Sequence, residues 1–179
     1  MKCKKILGYL VFACIFGGFL IVNVSYVYAD EEEKPLITTE QRSTIVDHCD
    51  AMKDSVKSLQ RTDSRARVYL GRYYETILTS FMTPLNVRLV ENNISNTKLL
   101  DNQTNFAARR TRFVNNYITY QQALEDLVNT NCKTEPEKFY EKLVVARDKR
   151  EIVNHDAQRL KEMAETQVKL VEELKNGVK

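Results

Sequence analysis

Few residues in this chain have the types that chemistry needs. His48 and His155 are the two histidines, and Asp47-His48-Cys49-Asp50 has the composition of a metal cluster or a Cys–His pair. Adjacent helical positions point about 100° apart, so His48 and Cys49 do not converge. In the helical register derived below, His155 lies about twenty residues along another helix from the level of His48, roughly 30 Å at helical rise. They cannot share a metal or a proton, and the expectation is two surface histidines. Only Gly71 and Gly177 of the five glycines follow residue 29, so phosphate-cradling loops and nucleophile elbows are missing. Carboxylates are plentiful but lack the cleft that paired acid–base work requires. Neither a catalytic residue nor a metal ligand nor a cofactor is assigned, and the reading is non-enzymatic.

Arginine is the remaining reactive type. Arg61, Arg65, Arg67 and Arg72 fall on one helix, Arg109, Arg110 and Arg112 on a second, and Arg147 and Arg150 on a third. Guanidinium groups grip carboxylate and phosphate with two parallel hydrogen bonds. One reading is a belt formed by Arg65, Arg67, Arg72, Arg109, Arg110 and Arg112, taking an anionic glycopolymer or a partner's acidic face. The other is internal pairing with Asp63, Glu75, Asp148, Glu151 and Asp156.

The elements that position these groups are long helices. From Phe139, steps of four and three reach Leu143, Ala146, Arg150, Val153, Ala157, Leu160, Ala164, Gln167, Val171 and Leu174, nearly all apolar and uninterrupted by Gly or Pro. A seam sustained over several heptads predicts one helix over about 135–175, roughly 60 Å long, buried against partner helices. A matching seam from Ile45 runs through Cys49, Met52, Val56, Leu59, Asp63, Ala66, Leu70, Tyr73 and Ile77, within a helix predicted over about 39–91. Pro84 predicts a kink there, since it lacks the amide that would bond Ser80. A third seam, Leu99 to Leu127, predicts a helix over 97–129. Thr38 with Gln41 and Thr134 with Glu137 have capping-box spacing. Asn92 to Asn96 and Asn129 to Lys133 read as turns. The fold class is therefore all-α, an elongated antiparallel three-helix bundle over 38–176 that runs up, down and up with coiled-coil-like seams.

Residues 1–29 read as a signal peptide or N-terminal anchor: Lys2, Lys4 and Lys5, an apolar run from Ile6 to Val24, then Val27-Tyr28-Ala29 before Asp30. The run is nineteen residues, close to the ~20 that span a bilayer, so cleavage and retention both remain open. Acidic 30–37 reads as a disordered lead-in. Three of the 27 Lys+Arg lie in the leader, which leaves 24 against 24 Asp+Glu. A neutral mature chain offers no overall attraction to nucleic acid, and membrane contact is expected only through the N-terminal segment. Cys3 and Cys14 also belong to the leader. Cys49 and Cys132 remain, and two cysteines in an exported domain point to one disulfide, with free thiols or an intermolecular bridge as alternatives. The pair lies nearly equidistant from the Asn92–Asn96 turn, as an antiparallel hairpin requires.

The same register brings the seam exceptions to one level. Asp63 maps beside Arg150, with Tyr117 and Tyr120 at that height, which predicts an Asp63–Arg150 ion pair completed by one of the two tyrosine hydroxyls, a buried polar layer inside the bundle that fixes register.

The scattered set Cys49, Arg67-Val68-Tyr69-Leu70-Gly71-Arg72-Tyr73-Tyr74-Glu75, Pro84-Leu85-Asn86, Arg88-Leu89, Asn131-Cys132, Pro136, Phe139-Tyr140, Arg147 and Arg150 resembles uncharacterised small exported helical proteins of candidate-phylum, Saccharibacteria-type bacteria. The likeness spans about Cys49 to Val153. It implies a bacterial envelope setting and a cysteine pair, and transfers no activity. The expected function is an exported binding or scaffolding module at the cell envelope, its partner an envelope protein or glycopolymer. The alternative is a membrane-anchored structural spacer.

Overall fold

A computed structural model describes residues 36–94 and 96–177, and the leader reading of 1–29 lies outside them. Everything described is helix or a short connecting segment. The capping box at Thr38 forms: its hydroxyl accepts from the Gln41 amide at 3.2 Å and its own amide donates to Gln41 Oε1 at 2.8 Å. This starts α1 (Thr39–Asp47), and after an irregular His48 the helix continues as α2 (Cys49–Thr76). A π turn (Ile77–Met82) leads into α3 (Thr83–Glu91). The predicted kink at Pro84 is thus met by a π turn, with helix on both sides. The Thr83 amide reaches back five residues to Leu78 O, and the wider turn relieves the crowding that a proline ring imposes on the preceding turn.

The Asn-rich segment closes the helix as its residue types demand. Asn93 takes a left-handed φ of 56°, and Ile94 and Asn93 donate to Leu89 O and Val90 O, a Schellman arrangement with asparagine where glycine is usual. Asn96 then caps α4 (Thr97–Asn129) by accepting from the Leu99 amide at 3.1 Å. α5 (Pro136–Gly177) begins at a proline whose missing amide costs little in a first turn. The capping box expected at Thr134 does not form. Thr134 N donates to Asn131 O, and Glu137 instead pairs with Arg42, tying the start of α5 to α1.

α4 and α5 pack antiparallel along their length. Lys98 meets Glu173, Asn102 meets Gln167, and Arg109 meets Asp156. The buried positions repeat every seven residues: Leu99, Phe106, Phe113, Tyr120 and Leu127 on α4, and Phe139, Ala146, Val153, Leu160 and Gln167 on α5. Tyr74 lies at the centre, its ring edge-on to Phe106 and Phe113 and its hydroxyl donating to Ala157 O at 2.8 Å. The second edge of the α5 seam is less enclosed than expected. Leu143 is exposed, and Ala164 and Val171 line a groove, because α5 gives its closest contact to α4 and only that edge is fully covered.

Cys49 and Cys132 form a disulfide with Cα atoms 5.6 Å apart, both side chains in the core. The bridge joins the start of α2 to the α4–α5 turn and fits an oxidising, extracytoplasmic setting. Among the described residues, no helix is long and apolar enough to cross a membrane.

Candidate functional site

Asp63 on α2, Tyr120 on α4 and Arg150 on α5 meet at one level. Arg150 Nε donates to Asp63 Oδ2 at 2.8 Å and Nη2 to Oδ1 at 3.2 Å, a two-point grip. The Tyr120 hydroxyl donates to Asp63 Oδ2 at 2.7 Å. Burial, and then the neighbouring Asp63 carboxylate, push the Tyr120 hydroxyl well above its usual pKa. The hydrogen bond to Asp63 raises that of the Arg150 guanidinium. Tyr117 does not join them: its hydroxyl pairs with Ser64 Oγ at 2.9 Å, and Arg67 stacks 5.3 Å from its ring centre. Nor does the layer lie wholly inside. The Arg150 side chain is 42% exposed and that of Asp63 17%, because this edge of the α5 seam faces the less enclosed side of the bundle. A half-open cleft of about 60 Å³ adjoins the layer. This is an anchoring geometry, with its acceptors engaged inside the protein.

A second, deeper layer escaped the seam analysis. Asp156 is almost fully buried, receiving Arg109 Nη1 at 2.8 Å and Asn116 Nδ2 at 2.6 Å. The apolar walk passes from Val153 to Ala157. Val153, Asp156 and Leu160, spaced three and four, lie equally well on one face, and a charged residue on that face was the available signal. A third polar set tops the bundle, where Asn86 donates to Leu99 O and to Gln103, and Gln103 donates to Thr83.

These contacts divide the arginine belt. Arg109 is held by the buried Asp156, and Arg110 by the partly exposed Glu75, so both guanidinium groups already have a carboxylate partner within the protein. Asp156 is almost fully buried, and Arg109 keeps its charge from being stranded there. Arg65, Arg67, Arg72 and Arg112 have no carboxylate within 4 Å among the described residues, and neither does Arg61. Arg65 and Arg72 share the outer face of α2 with Val68, Tyr69 and Tyr73, and Tyr69 is 71% exposed.

His48 sits at the α1–α2 junction and His155 on α5, both exposed. Among the described residues no group of His, Cys, Asp and Glu converges with metal-binding geometry. No protein-family model, curated protein or solved structure matches this chain.

Proposed function

We propose that the protein is an exported, non-enzymatic helical bundle that serves as a binding or scaffolding module at the cell envelope. One observation carries the reading. The outer face of α2 presents Arg65, Val68, Tyr69, Arg72 and Tyr73 side by side, with neither guanidinium paired to a carboxylate among the described residues. Arginine and tyrosine dominate the energetic centres of binding surfaces, since both present a large, preorganised contact area. A neutral mature chain that concentrates unpaired cations on one face favours an acidic partner. That partner is an envelope protein. An anionic glycopolymer is the other class that the same guanidinium groups would take.

The finer architecture belongs to this proposal. The helical stretch from Thr39 to Glu91 forms one rod, with α4 and α5 as the second and third, running up, down and up. The strict seven-residue repeat on α4 and α5 supports coiled-coil-like seams, which a straight helix meets by left-handed supercoiling. The disulfide supports the export reading. The nineteen-residue apolar run favours a second reading, a membrane-anchored spacer with its N-terminal segment retained.

Fractionation of the native host, with N-terminal sequencing of the protein recovered, tests both. A chain beginning near Asp30 in the envelope or medium supports the first reading, and one beginning at Met1 in the membrane supports the spacer. Recovery in the cytoplasm with free thiols ends both. Crosslinking in intact cells through a photoreactive group at Tyr69 separates a protein partner from a polymer.

A further inference from the structure

The C-terminal third of α5 stands off from the first helical stretch, and a groove of about 720 Å³ separates them. One wall carries Tyr73, Ile77, Phe81 and Leu85, repeating every four residues through the π turn. Ala164, Val168 and Val171, spaced four and three, form the other. Helices use this spacing toward a partner helix. Ile77 and Ala164 also pack against the core, yet Phe81 is 64% exposed and Val168 59%, so the outer edge of each seam lacks one. The first wall runs from Tyr73 to Arg88, about 22 Å or four turns. Two apolar seams flanking a groove of that length form the seat that another helix fills in a four-helix bundle.

Charge narrows the occupant. Tyr73 borders both this groove and the ridge bearing Arg65 and Arg72, and Arg88 lies at the opposite end. None of the three has a carboxylate within 4 Å among the described residues; the opposite rim carries Glu165, already near Lys161 at 3.9 Å, and Glu172, so unpaired positive charge outweighs negative along the groove and its ridge.

We infer that the groove seats one amphipathic α-helix of a separate protein, its apolar residues at i, i+3, i+4 and i+7 in the groove and its carboxylates toward Arg65 and Arg72. The inference rests on the reading of the protein as a binding module and names the class of partner.

The test is panning of the full, disulfide-bonded protein against phage-displayed helices of about eighteen residues, four to five turns, with a fixed leucine seam and flanks drawn from Glu, Gln and Lys. Glu should be enriched over Lys. A synthetic peptide of the selected sequence should bind at least about tenfold more weakly to Phe81→Gln or Val168→Gln, which change exposed side chains and leave the circular dichroism unaltered. Arg65→Glu with Arg72→Glu should shift the preference to Lys-bearing peptides. Absence of enrichment, or affinity that ignores these substitutions, overturns the inference. So do sedimentation showing a dimer that Val168→Gln dissolves and a fluorescent fatty acid that binds wild type but not Val168→Gln. Failed panning with a protein found at the envelope removes only this inference. A cytoplasmic protein removes the binding-module reading first.

Discussion

Two ion pairs of the same chemistry sit at different depths in this bundle, and a pair of double-mutant cycles should separate their strengths. Arg109–Asp156 and Arg150–Asp63 each close at 2.8 Å. The side chains of the first pair are 23% and 3% exposed, and those of the second 42% and 17%. Unit charges 4 Å apart attract by about 1 kcal/mol in water and about 4 kcal/mol at an effective dielectric constant of 20. Exposed pairs couple by about 0.2–1 kcal/mol, whereas removing one partner of a buried pair costs about 3–5 kcal/mol because the other is stranded. Asp156→Ala strands Arg109 and Asn116 together, and should cost about 3 kcal/mol, with Asp156–Arg109 coupling of about 2 kcal/mol. Asp63–Arg150 coupling should be about 1 kcal/mol: the two-point grip strengthens it, but solvent screens a half-exposed guanidinium. The assay is urea unfolding of the oxidised protein followed by circular dichroism, at low and at high salt. Added salt should weaken the Asp63 pair more. Equal couplings, or a stronger Asp63 pair, would refute the view that depth sets the strength.

Other outcomes follow from the same packing. Leu160→Asp places an unpaired charge where the wild-type side chain is wholly buried, and the cooperative melting transition should be lost, with several kcal/mol of destabilisation. Cys49→Ala with Cys132→Ala removes a crosslink across a separation of 83 residues, and the chain-entropy ceiling is about 4.5 kcal/mol; thermal stability should fall while helicity below the transition persists. Because the Tyr120 pKa is raised in the folded state, stability should hold below pH 10.0 and decline as pH rises above it, and Tyr120→Phe should flatten that decline in denaturation measured across alkaline pH. Gly71 lies inside α2 with nothing within 4 Å of an added Cβ, so Gly71→Ala should stabilise by about 0.5–1 kcal/mol in the same unfolding assay.

Much of the helical organisation was legible because it repeats. Apolar side chains seven residues apart return to one face, and a charge among them is conspicuous, so the sequence itself pairs Asp63 with Arg150. Once Cys3 and Cys14 are assigned to the leader, only one intramolecular pairing of cysteines remains. Asp156 was hidden for a related reason. A walk in steps of four and three selects one of two equivalent paths along a helix face, and the path through Ala157 bypasses a carboxylate on the path through Asp156. The arginines could not be sorted by sequence at all, since Arg109 and Arg112 differ by less than one turn. What distinguishes them is whether a carboxylate from another helix arrives, and Asp156 reaches only the first.

The groove shows where periodicity stops carrying information. Val168 has the same apolar character as residues that are buried lower on α5, and nothing in the local pattern says that those meet a neighbour while Val168 faces solvent and Ala164 and Val171 are only partly covered. The difference arises from the partner side. Pro84 deprives Ser80 of its usual donor, and the chain responds with a π turn, which widens the helix and re-aims the residues from Ile77 to Met82. Met82 then points fully into the core, while Phe81 remains largely in solvent. A proline visible in the sequence thus has a consequence on the neighbouring face that only the packed bundle reveals. The upper part of the first helical stretch keeps α4 as its partner and leaves one edge of α5 uncovered. The helix partner proposed above would enter between these two seams without dismantling the core, which is fastened at the far end by the disulfide.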